Sequence, residues 1–190
     1  MDRDRLVEVG VGLISSFGAK ALSLTSVARH AGVARATAYR MFGGRDALVS
    51  AIVQHELALI ADKMGEWGAD EPDIAKRVHL RAVESLRYIR EHAALQYVLT
   101  REPEEIVRAL IPTRGSNEPT LIDLIVDATL PEIRDDEAAL LYPDPRGAVE
   151  FMIRVAYSCM LVPDGHLTDD QIAELTARAV VQNPDAATLR

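Results

Sequence analysis

Residues 24–48 read LTSVARHAGVARATAYRMFGGRDAL, and this stretch decides the fold. Ser23 is a suitable N-cap for a short helix over 24–31, with Val27, Ala28 and Ala31 on its inner side. Gly32 breaks that helix, since glycine adopts the positive φ a tight turn needs. A second short helix over 35–41 follows, and Gly43-Gly44 ends it. Two short helices joined by Ala31-Gly32-Val33, with Val33 available to plug between them, form a helix-turn-helix. The second helix carries Arg35, Ala36, Thr37, Tyr39 and Arg40 within about two turns, a dense set of groups for phosphates and base edges.

Outward from this segment the reading is helical throughout. Before it, residues 4–17 place Leu6, Val9, Leu13 and Phe17 on one face, weakened by Gly10 and Gly12 and ended by Gly18. After it, long helices are expected over 45–66 and 73–99, the latter with a bend near His92-Ala93. A short helix opens at Pro103 and ends before Pro112. Residues 113–117 form a loop, and 119–130 an apolar helix reaching the kink at Pro131. Residues 146–162 are apolar on nearly every side, which implies burial on more than one face. Thr168 to Gln171 has capping-box spacing for a last helix over 168–182. That makes about nine helices and no convincing strand.

Charge divides the chain in the same place. Its 190 residues carry a net charge of −8, yet residues 1–50 hold seven basic against four acidic residues. The remainder holds fourteen basic against twenty-five acidic, so a basic reader is joined to an acidic body. The acidic body would turn the N-terminal end toward phosphates. The single cysteine, Cys159, fits a reducing compartment, and the opening residues lack the apolar core of a signal peptide. No apolar run suffices to span a bilayer, so a cytoplasmic protein without membrane association is expected.

Residues 6–52 resemble the N-terminal domain of TetR-type regulators. The residues that carry this are Phe17-Gly18, Val27-Ala28, Ala31-Gly32-Val33, Thr37, Tyr39-Arg40, Phe42, Arg45-Asp46 and Ala47-Leu48. The resemblance implies an all-α fold, with a three-helix DNA-binding domain over 1–47 and a helical bundle for ligand binding and dimerisation over 48–190. It implies that residues 35–41 enter the major groove of double-stranded DNA at a palindromic operator. Arg35 would read bases, where an arginine forks onto guanine. Thr37 would meet a phosphate or base, Tyr39 and Arg45 phosphates, and Thr25 would touch DNA from the preceding helix. Arg40 is read with Tyr39 and Arg45 as holding register through phosphates. The segment departs from the family pattern at Ala34, Ala36 and Ala38, where Ala38 thins the packing beneath the helix. Met41 stands where histidine is common, offering an apolar contact such as one to a thymine methyl, and Gly44 replaces a common cap.

In the body, EHAALQYVLTREPE at 91–104 and DPRGAVEFMIRVAYSCMLVP at 144–163 resemble the regulatory part of some TetR-like proteins. There the last two helices pair with their copies in a homodimer. A small-molecule effector of unknown identity would bind between 73 and 160, near Tyr88, Tyr97, Phe151 and Tyr157, although these aromatics equally suit ordinary core. The implied function is a repressor released from its operator by that effector. An activator, or a ligand-binding or interaction protein that has lost specific DNA binding, remains a rival.

An enzyme is disfavoured, because no nucleophile elbow, P-loop or dinucleotide fingerprint is present. No catalytic residue, cofactor or metal is expected. His55, His79 and His92 lack ligand spacing, and Asp164-Gly165-His166 with Asp169 and Asp170 reads better as a helix start than as a metal loop. Trp67 reads as packing, and Cys159 as an inert small hydrophobe.

Overall fold

A computed structural model describes residues 3–111 and 119–182. Its regular elements are α1 (Arg3–Phe17), α2 (Leu24–Ala31), α3 (Arg35–Phe42), α4 (Arg45–Glu66), α5 (Ile74–Glu91), α6 (Ala93–Arg101), α7 (Pro103–Leu110), α8 (Leu121–Thr129), α9 (Asp135–Ala138), α10 (Pro145–Leu161) and α11 (Asp169–Val180). A 3₁₀ turn, Leu130–Glu132, follows α8. Among the described residues the fold is all-α, apart from an isolated bridge between Leu141 and Val181. The expected loop at 113–117 and the chain end from 183 lie outside the described residues.

The eleven helices among the described residues exceed the expected nine for local reasons. The helix anticipated over 73–99 divides at His92, whose backbone is extended and whose Nδ1 accepts the Leu95 N–H at 3.2 Å. The side chain thus caps α6 while ending α5. The acidic run Asp135-Asp136-Glu137 forms the short α9, whose first-turn carboxylates suit a helix N-terminus. The Thr168 capping box is present, with Gln171 N–H donating to Thr168 Oγ1 at 3.2 Å.

The described residues form two compact units. One contains the chain up to Ala58 together with 91–111. Its core joins Leu6, Val7 and Leu13 of α1 to Leu22, Leu24, Val27, Ala28 and Ala31, with Ala38 and Phe42 of α3 and Leu48, Ala51 and Ile52 of α4. The inner face of α1 is Leu6, Val7, Gly10 and Leu13. Phe17 is 57% exposed rather than inward, since it is the last residue of the helix, and its ring meets His30. Gly10 serves packing: a Cβ there would lie 2.7 Å from Ile52 Cδ1, so its absence lets α4 approach α1. Ala38 is completely buried, so the short side chain closes the floor of α3 instead of leaving it loose.

The other unit contains Leu59–Arg90 and 119–182. Val78, Leu141, Ala148, Ala177 and Val180 form an apolar cluster. Beside it lies a buried charge network. Arg77 and Arg81 sit four residues apart on one face of α5, the spacing that aligns side chains along a helix. Glu137 of α9 accepts from Arg77 Nη1 at 3.3 Å and from Arg81 Nη1 at 2.5 Å. Arg77 also donates Nε and Nη2 to the Glu71 carbonyl at 3.0 and 2.7 Å, and Arg81 Nε donates to the Trp67 carbonyl at 3.3 Å. All three side chains are at most 4% exposed. Burial pulls the Arg81 guanidinium below its ordinary value, and Glu137 opposes that shift. The network ties the segment after α4 to α5 and α9.

In the single chain α10 buries Ala148, Val149 and Met160, while Phe151 and Leu161 are 43% and 49% exposed. One apolar side therefore meets the unit's own core and the other stays open. Cys159 is half-buried, and burial, reinforced by Asp169, pushes its thiol up, away from the reactive thiolate.

Removing the shared anion should unbalance two buried cations. Glu137→Ala is expected to lower unfolding stability by about 3–5 kcal/mol, measured by urea denaturation. A loss below about 1 kcal/mol would mean that the two guanidinium groups find other compensation.

Candidate nucleic-acid interface

The reading element is built from caps and a tight turn. Ser23 is the N-cap of α2: its Oγ accepts the Ser26 N–H at 3.0 Å, and Ser26 Oγ accepts the Ser23 N–H at 3.0 Å. At the other end Gly32 adopts a left-handed φ of 70° and donates to the Arg29 carbonyl. Val33 N–H reaches the Ala28 carbonyl at 2.9 Å, so the helix end is closed by its own backbone. Val33 packs, half-buried, on the core as its plug role requires.

α3 begins at Ala34, which offers no capping side chain, and ends at Gly43 with φ 75°. Gly43 N–H donates to the Tyr39 carbonyl at 2.8 Å. Ala38 and Phe42 face inward, which turns Arg35, Ala36, Tyr39 and Arg40 outward and leaves Thr37 half-buried. Thr25, on α2, is also exposed. Four of the five predicted contact residues of α3, all but Thr37, are therefore exposed on this eight-residue helix.

Two of them are already joined. The Arg35 guanidinium lies 5.0 Å from the Tyr39 ring centroid, and its Nη2 donates to the Tyr39 hydroxyl at 3.3 Å. The i, i+4 spacing and the ring's negative face favour this pairing. Arg45 has a task the sequence did not reveal: Nε donates to the Leu22 carbonyl at 3.1 Å and Nη2 to the Ala19 carbonyl at 2.9 Å. It thereby braces the start of α4 against the turn between α1 and α2, while the residue stays exposed. Met41 packs against the core instead of standing fully outward.

The aromatics expected around an effector are distributed between the units. Tyr97 belongs to the first, close to Gly18. Tyr88, Phe151 and Tyr157 belong to the second. Tyr88 meets Trp67 edge-on at 6.2 Å and lies under Lys63 Nζ. Phe151 is exposed. The Tyr157 hydroxyl is buried without a hydrogen-bond partner among the described residues, and burial alone raises its pKa. Sequence reading missed Glu102, Arg77, Arg81 and Glu137. The i, i+4 arginine pair was a usable signal, because apolar Val78 follows Arg77 directly.

Among the described residues no group of three or more His, Cys, Asp or Glu side chains could hold a metal ion. Asp170 instead pairs with His79 at 3.0 Å, and Asp169 with Arg90 at 2.5 Å. No described helix is long and apolar enough to cross a membrane.

Residues 6–52 match the model of the bacterial regulatory proteins of the tetR family. An uncharacterized HTH-type transcriptional regulator of Mycobacterium tuberculosis, found in two strains, is 27% identical over 134 residues, which cover 63% of this chain and 66% of the relative. The chain thus spans just under two thirds of the length of the curated relatives it matches. Among solved structures, the TetR family repressor AlkX from Dietzia sp. superposes with a TM-score of 0.69 at 22% identity, covering 95% of this chain and 100% of that one. RolR without ligand gives 0.67 at 14% identity, over 97% and 94% of the two chains. RolR in complex with resorcinol gives 0.65 at 15% identity, over 98% and 91%. At these identities the structural likeness establishes the fold. The helix-turn-helix lies inside the segment that matches the tetR-family model, and the helical chain has the fold of these solved structures.

Proposed function

We propose that this chain is a DNA-binding transcriptional regulator, a homodimeric repressor that a small-molecule effector releases from a palindromic operator. The observation that carries the reading is the outward set on α3, Arg35, Ala36, Tyr39 and Arg40, standing on a floor closed by Ala38 and Phe42. Ala38 is completely buried, so the floor of α3 is closed to solvent. DNA reading is assigned to 1–47, and effector binding and dimerisation to 48–190, with α6 and α7 supporting the head. The protein then acts in the cytoplasm, as a regulator and not an enzyme.

Each contact has its own physical role. Arg35 leaves the Tyr39 ring to fork onto a guanine, and Ala36 is small enough to bring the helix backbone close to the bases. Tyr39, freed from Arg35, binds a phosphate, as does Arg40, and Thr37 and Thr25 add hydroxyl contacts. Arg45 holds the head's geometry through Ala19 and Leu22, and its exposed side can add a phosphate contact. One short helix reads few base pairs, so a two-fold pair of heads is needed for a usable site.

The open apolar side of α10 and α11 supports pairing between copies. Phe151, Leu161, Val162, Leu167 and Leu175 are each between 43% and 69% exposed. Apolar surface of this kind is normally covered by a partner. Release works by differential affinity: an effector that prefers the DNA-incompetent arrangement shifts the population toward it. RolR has been solved with resorcinol, and AlkX is implicated in biodegradation of n-alkanes. By analogy an effector here is a small, largely apolar compound, with the Tyr157 hydroxyl as a polar handle.

DNA selected from a random pool by the purified chain should contain an inverted repeat and be retarded in a salt-dependent way. Arg35→Ala should relax one base position in each half-site, a loss of about 1–3 kcal/mol of discrimination. Arg40→Ala and Arg45→Ala should weaken all sequences alike. A fall of about one in the salt slope would mark a lost phosphate contact. An unchanged slope for Arg45→Ala would assign that residue to bracing alone. Failure to enrich any sequence would refute the regulator reading.

Tyr157→Phe removes a buried hydroxyl that lacks a partner. It should leave the ligand-free melting temperature unchanged or raised, because no bond is lost and a desolvated polar group is removed. A drop of several degrees would show that the hydroxyl is satisfied within the protein.

A further inference from the structure

We propose that Glu102 positions the DNA-reading head, by gripping the turn between α1 and α2 and, through that turn, setting the Arg45 end of the recognition element. The inference deepens the regulator reading and rests on it.

Glu102 is a carboxylate only 7% exposed, more than eighty positions along the chain from the groups it holds. Its Oε2 accepts the Ala19 N–H at 2.7 Å and the Lys20 N–H at 3.2 Å. Its other oxygen lies over Gly18. A Cβ on residue 18 would come within 2.4 Å of Glu102 Oε1 and 2.7 Å of Tyr97 Cε1. Gly18 also has a φ of +85°, so both conformation and space require glycine there. The turn and the carboxylate are therefore fitted to each other.

The backbone of residue 102 is itself fixed. Glu102 ends α6, donating its N–H to the Val98 carbonyl at 2.8 Å, and starts α7, accepting the Glu105 N–H at 2.9 Å. Pro103 follows as the first residue of α7, where its fixed φ suits a helix start. The carboxylate is thus aimed from a joint with little freedom. Lys20 and Glu104 add an exposed ion pair beside it, which contributes little.

On the far side of the turn, the Ala19 and Leu22 carbonyls receive the Arg45 guanidinium. The turn is held between an anion on its amides and a cation on its carbonyls, and hydrogen bonds arranged in series strengthen one another. Arg45 is the first residue of α4, directly after the Gly43-Gly44 joint that ends α3. Two glycines give that joint wide conformational choice, and the Arg45 brace restricts it. Loss of Glu102 would leave two amides without their acceptor and loosen the turn that Arg45 holds. The bases would be read by the same side chains from a less defined helix. Glu102 touches no DNA in this scheme; it is a positioning residue.

The test uses the full chain and a palindrome selected by the wild-type protein. Glu102→Ala should weaken binding roughly ten- to hundredfold with base preference unchanged, as expected when two part-buried amides lose a charged acceptor. Glu102→Gln should stay within about threefold of wild type, because a single amide oxygen can accept both N–H groups as Oε2 does. Amide exchange read by NMR supplies a local signal. Ala19 and Lys20 should be protected in the wild type and in Glu102→Gln and lose protection in Glu102→Ala, while α2 amides keep theirs. Wild-type affinity in Glu102→Ala would overturn the proposal. So would Ala19 and Lys20 amides that exchange freely in the wild-type protein, a result that does not depend on whether the alanine variant folds. A wild-type chain that retards no DNA would defeat the regulator reading, and the exchange data would still report the clamp.

Discussion

An eight-residue helix does not hold its shape in water. Nucleation costs too much, and isolated helices below about 12–15 residues are marginal even with favourable composition. Helix α3 has eight residues and an N-cap position without a capping side chain. Its shape must therefore come from its surroundings. That constraint explains the density of devices around it: the Ser23–Ser26 capping box, the left-handed Gly32, the buried Ala38 and Phe42, and the Arg45 brace. Each presents the same few outward side chains in one arrangement. Under the proposed function backbone order here matters, because base readout is geometric and a fork of donors reaches guanine only from a defined position.

The second unit solves a different problem. A chain with few aromatic residues has little bulk for its core, and here a salt-bridged triad occupies part of the interior. Burying charge is costly, and the network persists because carbonyls at Trp67 and Glu71 join Glu137 in satisfying both guanidinium groups. Gly68, with φ +70° and Arg77 packed against it, lets the segment after α4 turn into this network. The chain crosses between the units within α4 and again at the α5–α6 junction, where His92 breaks the helix and caps the next one.

Much of the head was legible because its signals are local. Gly32, Ser23 and the Gly43-Gly44 break act within a few residues, and the turn they specify occurs where the sequence places it. Helix periodicity located most of the long elements within a residue or two, the helix expected over 73–99 being divided at His92. Errors arose where tertiary partners decide. Phe17 reads as a core residue by periodicity, yet it ends its helix and lies exposed. The further partners of Arg45, the Ala19 and Leu22 carbonyls, are visible only once α4 is folded back on the turn. Glu102 carried no sequence signal, since its partners are distant in the chain and are backbone amides without side-chain identity. Tyr97 and Tyr157 look alike in sequence, although one packs beside Gly18 and the other hides an unpaired hydroxyl.

The proposed function places the DNA-contacting surface at residues 25–45. Titrating the isotopically labelled chain with a selected palindrome, and following backbone amides by NMR, addresses it most directly. Shifts should concentrate on Thr25, on α3 from Arg35 to Arg40, and on the start of α4, and they should diminish as salt is raised. Shifts centred on the acidic body, or binding that salt does not weaken, would contradict the account.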